Sequence, residues 1–470
     1  MSSLSAPLRS AHKMTHLAAG SDRKFRIVYC GAVFVASALS VYPFVSVPDE
    51  DRGVTSLLLI RIPWIFSALM LACIASWFFA ISNMRQQRMN AKFLIPTCLF
   101  GIGIARVLNV YGTTKFRAYG DVGRLQTYLS DGKLDFGRWL LTLAIVRESF
   151  SLIRTFFFDI DPGDFVRVTG ALCMFTSALW LLARRTDSVI PQMLIVSPMW
   201  VLFSIGYDEF YPFVAGLLVV VICHIVAREV FFRSSTAYLL AGILPALYIG
   251  ALPISLVLLL HTWGIDRIIA ERVRGLLLSL VSFVIAIEVG GEFNGYIGNL
   301  SETMNLGGKF LDKDANSKAI ALSSRSFLAD PSYAFSLEHA VDIFFWLSCG
   351  IGIVVIVAAL ILSAGPKHKA GIAGKADTTS DLGLCRLATF LLVGLALFYL
   401  VFMLPLLGPT RDIDLYFISM FVLLIFAGSR FDHFAQTAEN PRLERLRFAQ
   451  LSAFGFAPAT MALVVFGVTR

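Results

Sequence analysis

The chain has 470 residues, of which 57% are hydrophobic and only 15% charged, with a mean hydropathy of +0.73 and a formal net charge of +8. That balance excludes a soluble globular domain and predicts a polytopic membrane protein. The basic excess sits mainly in short loops between apolar runs, so membrane topology accounts for it and no nucleic-acid partner is implied.

Forty phenylalanines and seven tryptophans suit lipid-facing helices and interfacial belts. Alternating strands of the kind that build an outer-membrane barrel are missing. The expected fold class is therefore all-α: a transmembrane helical bundle of about 12–13 spans, including one short helical hairpin. Cys30, Cys73, Cys98, Cys173, Cys223, Cys349 and Cys385 lie mostly inside apolar runs and lack the spacing of a disulfide framework or zinc site.

Residues 1–26 are polar and basic, with Arg9, Lys13, Arg23, Lys24 and Arg26, and read as a cytoplasmic tail. The first apolar run, 27–46, lacks a small-residue cleavage site and reads as a retained first helix, so 27–470 forms one integral membrane domain. Further spans are predicted at 57–82, 93–111, 163–183, 188–206, 209–228, 272–291, 340–364, 387–407, 415–428 and 449–468. The run 236–262 is ambiguous, because Pro245 and Pro253 flank Gly250 within it. It reads either as one broken span or as a short hairpin.

Charge bias separates the two, since cytoplasmic loops collect Lys and Arg. With the N-terminus inside, Asp49-Glu50-Asp51 falls outside, Arg85, Arg88 and Lys92 inside, loop 112–162 outside, and Arg184 and Arg185 inside. Asp208 and Glu209 then fall outside, and Arg228 and Arg233 inside. A hairpin at 236–262 keeps Arg267, Arg272, Arg274, Lys367, Lys369, Lys375, Arg430, Arg442, Arg445 and Arg447 inside, whereas a single span inverts them all. The hairpin is the reading adopted.

On that topology the acidic clusters share the extracytoplasmic face: Asp121, Asp131 and Asp135; Asp208 and Glu209; Glu338, His339 and Asp342; and Arg411, Asp412 and Asp414. Any one alone is an ordinary solvated loop charge. Asp208-Glu209 and 408–416 occupy short turns, however, and stay close to the bundle. Outer arginines run against the charge rule. Arg61, Arg106 and Arg167 near helix ends, and Arg117, Arg124, Arg138, Arg147 and Arg154 in the long loop, suit either a phosphate at leaflet depth or snorkelling to headgroups. Charges near mid-span are scarce, which argues against an ion-coupled carrier.

Loop 112–162 has helical periodicity. From Gly137 to Phe158, Leu140, Leu141, Ile145, Phe150, Ile153 and Phe157 alternate with Arg138, Arg147, Glu148 and Arg154, the pattern of an amphipathic helix on the outer membrane surface. Ahead of it, Gly120 and Gly123 allow a tight turn that presents Asp121, a candidate general base. Loop 292–339, rich in Gly, Asn and Ser, reads as an extracytoplasmic lid. His339 also reads simply as a helix-start histidine.

The order of a span, an outer loop with an early Asp and surface helices, then many spans with short outer turns resembles the GT-C superfamily of polyprenyl-phosphate-sugar-dependent glycosyltransferases. Three segments resemble motifs of an uncharacterised bacterial GT-C-like group: Ile205-Gly206-Tyr207-Asp208-Glu209-Phe210-Tyr211, Ser336-Leu337-Glu338-His339 and Arg411-Asp412-Ile413-Asp414-Leu415. Leu337 stands where that group has proline, and Ile413 where it has tryptophan. Val122-Gly123 follow Asp121 where GT-C enzymes often carry a second acid.

The resemblance implies inverting sugar transfer from a lipid-linked phosphate to an extracytoplasmic glycan, lipid or protein acceptor. Asp121 would be the base, and Arg411 with Arg106 or Arg124 would neutralise the donor phosphate. Asp208, Glu209, Tyr211, Glu338, His339, Asp412 and Asp414 would bind donor phosphate or sugar, with Mg or Mn as an optional divalent cation. It also implies a multi-pass protein of the bacterial inner membrane whose partners are membrane lipids, the polyprenyl-phosphate donor and the acceptor. Alternatives are a lipid-linked saccharide polymerase, ligase or flippase, and a non-catalytic membrane assembly protein.

Overall fold

The structure is a computed structural model that describes residues 140–156, 162–184, 188–197, 210–227, 232–266, 268–290, 381–402 and 416–436, together with residue 129 and isolated positions within 199–203, 334–347 and 440–452. The described residues are almost all helical and include no strand. In chain order they form α1 (Leu140–Phe156), α2 (Pro162–Arg184), α3 (Val189–Val196), α4 (Tyr211–Val226), α5 (Ser234–Leu247), a 3-10 turn at Ile249–Ala251, α6 (Leu252–Ile265), α7 (Ile269–Gly290), α8 (Asp381–Phe402) and α9 (Phe417–Gln436).

Three segments, Ile269–Gly290, Gly383–Phe402 and Phe417–Gln436, are long and apolar enough to cross a membrane. Their burial differs. α7 exposes Leu277, Leu280, Val281 and Ile285, and α8 exposes Phe390, Leu397 and Phe398, continuous apolar faces of the kind lipid covers. α9 instead buries Phe417, Met420, Phe421, Leu424, Ile425 and Phe431, and forms part of the core.

The ambiguous run 236–262 is a helical hairpin. Pro245 sits in the last turns of α5, Tyr248 is extended (φ −155°, ψ 120°), and Pro253 lies in the first turn of α6. Proline loses an N–H and suits a helix start, so the sequence both ends one helix and begins the next. Gly250 lies at the apex against the Tyr248 ring, which would stand 2.5 Å from a Cβ there and would have to shift. Ser234 Oγ donates to Asp266 Oδ1 at 2.5 Å, and Ser255 Oγ donates to the Ala241 carbonyl, so the two helices run antiparallel and their outer ends meet. At about 1.5 Å per residue each 14-residue arm rises about 21 Å, short of a roughly 30 Å hydrocarbon core.

Two spans differ from their sequence boundaries. The helix predicted over 188–206 is interrupted after Val196, with helical positions again at Met199, Trp200 and Phe203. Ser197 is extended (ψ 143°) because it precedes Pro198, which disfavours the α conformation before it. The helix predicted over 415–428 continues to Gln436. Its polar last turns are held by Asp432, which accepts from Ser188 Oγ at 2.5 Å and from the Val189 N–H at 2.8 Å. Ser188 Oγ in turn accepts from the Ile190 N–H at 3.2 Å, and residue 191 is proline, so the first-turn donors of α3 are met.

α1 matches the amphipathic helix predicted over 137–158, but its buried stripe is rotated. Leu143, Val146 and Phe150 face the protein, while Ile145, Leu152 and Phe156 are exposed.

The helices meet at small residues. On α4, a Cβ at Gly216 would lie 2.9 Å from the Cys173 carbonyl oxygen of α2, and on α5 one at Gly242 would overlap the Ser279 carbonyl and Ser282 Oγ of α7. Such contact between backbones is how helices associate where lipid is as apolar as the side chains. Gly242→Val should therefore lower the thermal midpoint of the detergent-solubilised protein, with an overpacking cost of roughly 1–3 kcal/mol. Gly394→Ala, where a Cβ meets nothing within 4 Å, should leave it nearly unchanged; equal midpoints for both variants would contradict this packing.

Candidate functional site at one end of the bundle

The described contacts sort the chain into two ends. At one, Tyr211 stacks on Phe203 (centroids 6.4 Å apart, 7°) and meets Tyr248 at 6.0 Å and Phe417 at 5.3 Å, both edge-on. Tyr416 meets Tyr399 at 6.1 Å. Thr142 Oγ1 donates to the Leu247 carbonyl at 2.8 Å, so α1 covers the hairpin apex, and the Leu140–Leu141 backbone closes on Gly290 at the end of α7.

At the other end, the Ser234–Asp266 clasp lies beside Arg272, whose Nε donates to the Asp266 carbonyl at 2.7 Å and whose guanidinium sits 5.6 Å from the Trp263 ring centre. His224 and His261 meet at 5.2 Å, Trp180 stacks on Phe232, and Asp432 faces Arg445 Nε at 3.7 Å. These are the segments that charge bias grouped as cytoplasmic. Their shared end agrees with that grouping.

The first end collects the borders of the predicted charged segments. Tyr211 follows Asp208-Glu209, Tyr416 and Phe417 follow Arg411-Asp412-Ile413-Asp414, and α1 begins where the stretch containing Asp121 and Arg124 ends. Arg106, Asp121, Arg124, Asp208, Glu209, Glu338, Arg411, Asp412 and Asp414 themselves lie outside the described residues. Two predicted site residues are described, Tyr211 and His339.

Tyr211 is buried and its ring is engaged in the aromatic cluster. His339 is fully buried at a helix start: Ser336 Oγ accepts from its N–H at 3.1 Å, and its Nε2 lies 2.7 Å from the Val401 carbonyl of α8. A carbonyl only accepts, so Nε2 carries the proton. Tyr248, Tyr399, Tyr416, Phe417 and Thr142 belong to this end without having been singled out in the sequence. The available signal was an aromatic at the border of each charged turn. Among the described residues, no group of three or more His, Cys, Asp or Glu is placed to hold a metal ion.

Comparison of the chain with protein-family models, with curated proteins and with solved structures finds no match.

Burial pushes the His339 imidazole below its ordinary value of 6.5, against the opposing pull of the Val401 and Leu400 carbonyls. The fold thus favours the neutral ring. Between the lowered folded value and 6.5 the unfolded chain binds the extra proton, so stability contributed by this site is complete above 6.5 and declines as pH falls below it. Unfolding of the solubilised protein should show an acid-side loss that His339→Gln reduces; an unchanged profile would exclude this assignment.

Proposed function

We propose that the protein is a multi-pass, GT-C-like glycosyltransferase of the bacterial inner membrane, which moves a sugar from a polyprenyl-phosphate donor to an extracytoplasmic acceptor. The observation that carries this reading is the gathering of the charged segments' borders at one bundle end: Tyr211, Tyr416, Phe417 and the start of α1 around the hairpin apex. Bringing the described borders together is what a two-substrate site asks of its framework.

In this mechanism an acceptor hydroxyl oxygen attacks the anomeric carbon while the bond from that carbon to the phosphate oxygen breaks. Asp121 takes the hydroxyl proton, and the polyprenyl phosphate leaves with the bonding electrons. Arg411, with Arg106 or Arg124, balances the charge growing on the phosphate. Asp208, Glu209, Glu338, Asp412 and Asp414 hold sugar hydroxyls. Their carboxylates are also hard oxygen donors suited to Mg or Mn. Placing the reaction on the outer face follows from the charge bias of the loops.

The test is sugar transfer by the full-length protein in lipid nanodiscs with a panel of polyprenyl-phosphate sugars. Asp121→Asn should reduce transfer by roughly 10²–10⁴-fold, the usual worth of a general base. Full activity in a folded Asp121→Asn protein would remove Asp121 from that role. Absence of transfer by the native protein across the panel would remove the transferase itself.

A further inference from the structure

We propose that His339 is a positioning residue, whose ring fastens the helix start at 334–340 to the C-terminal end of α8, two elements that charged segments adjoin in sequence. The claim stands on described contacts. Ser336 caps the turn, accepting from the His339 N–H through Oγ at 3.1 Å and from the Ala340 N–H through its carbonyl at 3.1 Å. The His339 ring then reaches across the chain to the Val401 carbonyl, 2.7 Å from Nε2 and 62 residues away in sequence. Beside it the Phe335 ring meets the Phe402 ring edge-on at 5.9 Å. His339 has no exposed surface.

Val401 lies in the last turn of α8, where backbone carbonyls lack partners within their own helix. A buried ring N–H directed at such a carbonyl meets no competing water, so it fixes both elements more firmly than the same bond would at the surface. The two tethered elements have meaningful neighbours in sequence. Glu338 directly precedes His339, and the chain leaving α8 runs on to Arg411, Asp412 and Asp414. His339 therefore acts through segments it ties together, with its Nε2 proton committed to the backbone and not to a sugar or phosphate. The consequence for transfer rests on the function proposed above, whereas the tether itself does not.

The test uses the full chain in nanodiscs, with its seven native cysteines replaced and Phe335→Cys and Phe402→Cys introduced for cross-linking by a short bis-maleimide. The parent should cross-link efficiently, His339→Leu several-fold less, and His339→Gln, whose side-chain amide donates from a similar position, close to the parent. Should His339→Leu fail to fold, His339→Asn, too short to reach Val401, makes the same comparison. In the cysteine-containing protein, His339→Leu should raise the half-saturating donor concentration by at least about tenfold, the scale on which small misplacements register, and His339→Gln should restore it.

Cross-linking in His339→Leu equal to the parent, or a folded His339→Gln as defective as His339→Leu, would overturn the tether. Loss of cross-linking rescued by Gln in a protein that transfers no sugar would uphold the tether and overturn the transferase reading alone.

Discussion

Close approach of helix backbones is the constraint on which the other features depend. In lipid, leucine surfaces gain nothing by leaving their surroundings, so helices hold together through shape and through whatever polar atoms they can pair. Gly242 supplies the shape between α5 and α7, and Ser282 supplies the pairing at the same contact, its Oγ donating to the Leu239 carbonyl at 3.2 Å. Gly428 lets α9 close on α3, where a Cβ would stand 2.8 Å from Ile190 Cγ1, and this brings Asp432 within reach of Ser188. A helix end whose donors are capped by another helix cannot slide without breaking the cap. The small residues thus set register as well as distance.

The hairpin shows how far sequence reasoning reaches. Two prolines and a glycine mark a break but do not say whether the chain turns back. The lysines and arginines downstream do, because only a turn leaves them on one side. The Ser234–Asp266 clasp is the physical counterpart of that inference, since it joins the two outer ends of α5 and α6. Its energetic logic is local: the Asp266 carboxylate sits against the first turn of α5, where the helix dipole favours negative charge. The break at Ser197 was legible too, in Pro198, but apolar content on both sides concealed it. The extension of α9 was not legible. Nothing local indicates that Asp432 serves a helix 243 residues away in sequence.

The candidate site posed a different problem. Charged turns beside apolar spans stand out in the sequence, whereas the described residues bordering them that meet across the fold are aromatic and look like ordinary membrane core. Tyr211, Tyr248 and Phe417 form their cluster through edge-on and tilted contacts between α4, the hairpin apex and α9. Such contacts contribute about 0.5–1.5 kcal/mol each beyond the area they bury. A pattern of hydrophobicity along one chain cannot reveal which distant rings will meet. His339 shows the same limit, because a motif position rich in chemistry also has a structural use, and only its contact with the Val401 carbonyl shows which nitrogen is committed.

The aromatic cluster at this end is also an electrostatic environment. Low-dielectric packing around Tyr211, Tyr248 and Phe417 strengthens the interaction of any polar groups within it and excludes water. The same packing makes an unpaired polar group costly, and Thr142 meets that demand at the Leu247 carbonyl. α1 adds a partial roof. It crosses the hairpin apex with Thr142 bound to Leu247, while Ile145, Leu152 and Phe156 turn outward. Opposite that outward face α1 buries Leu143, Val146 and Phe150, so one helix packs the core on one side and presents an apolar surface on the other.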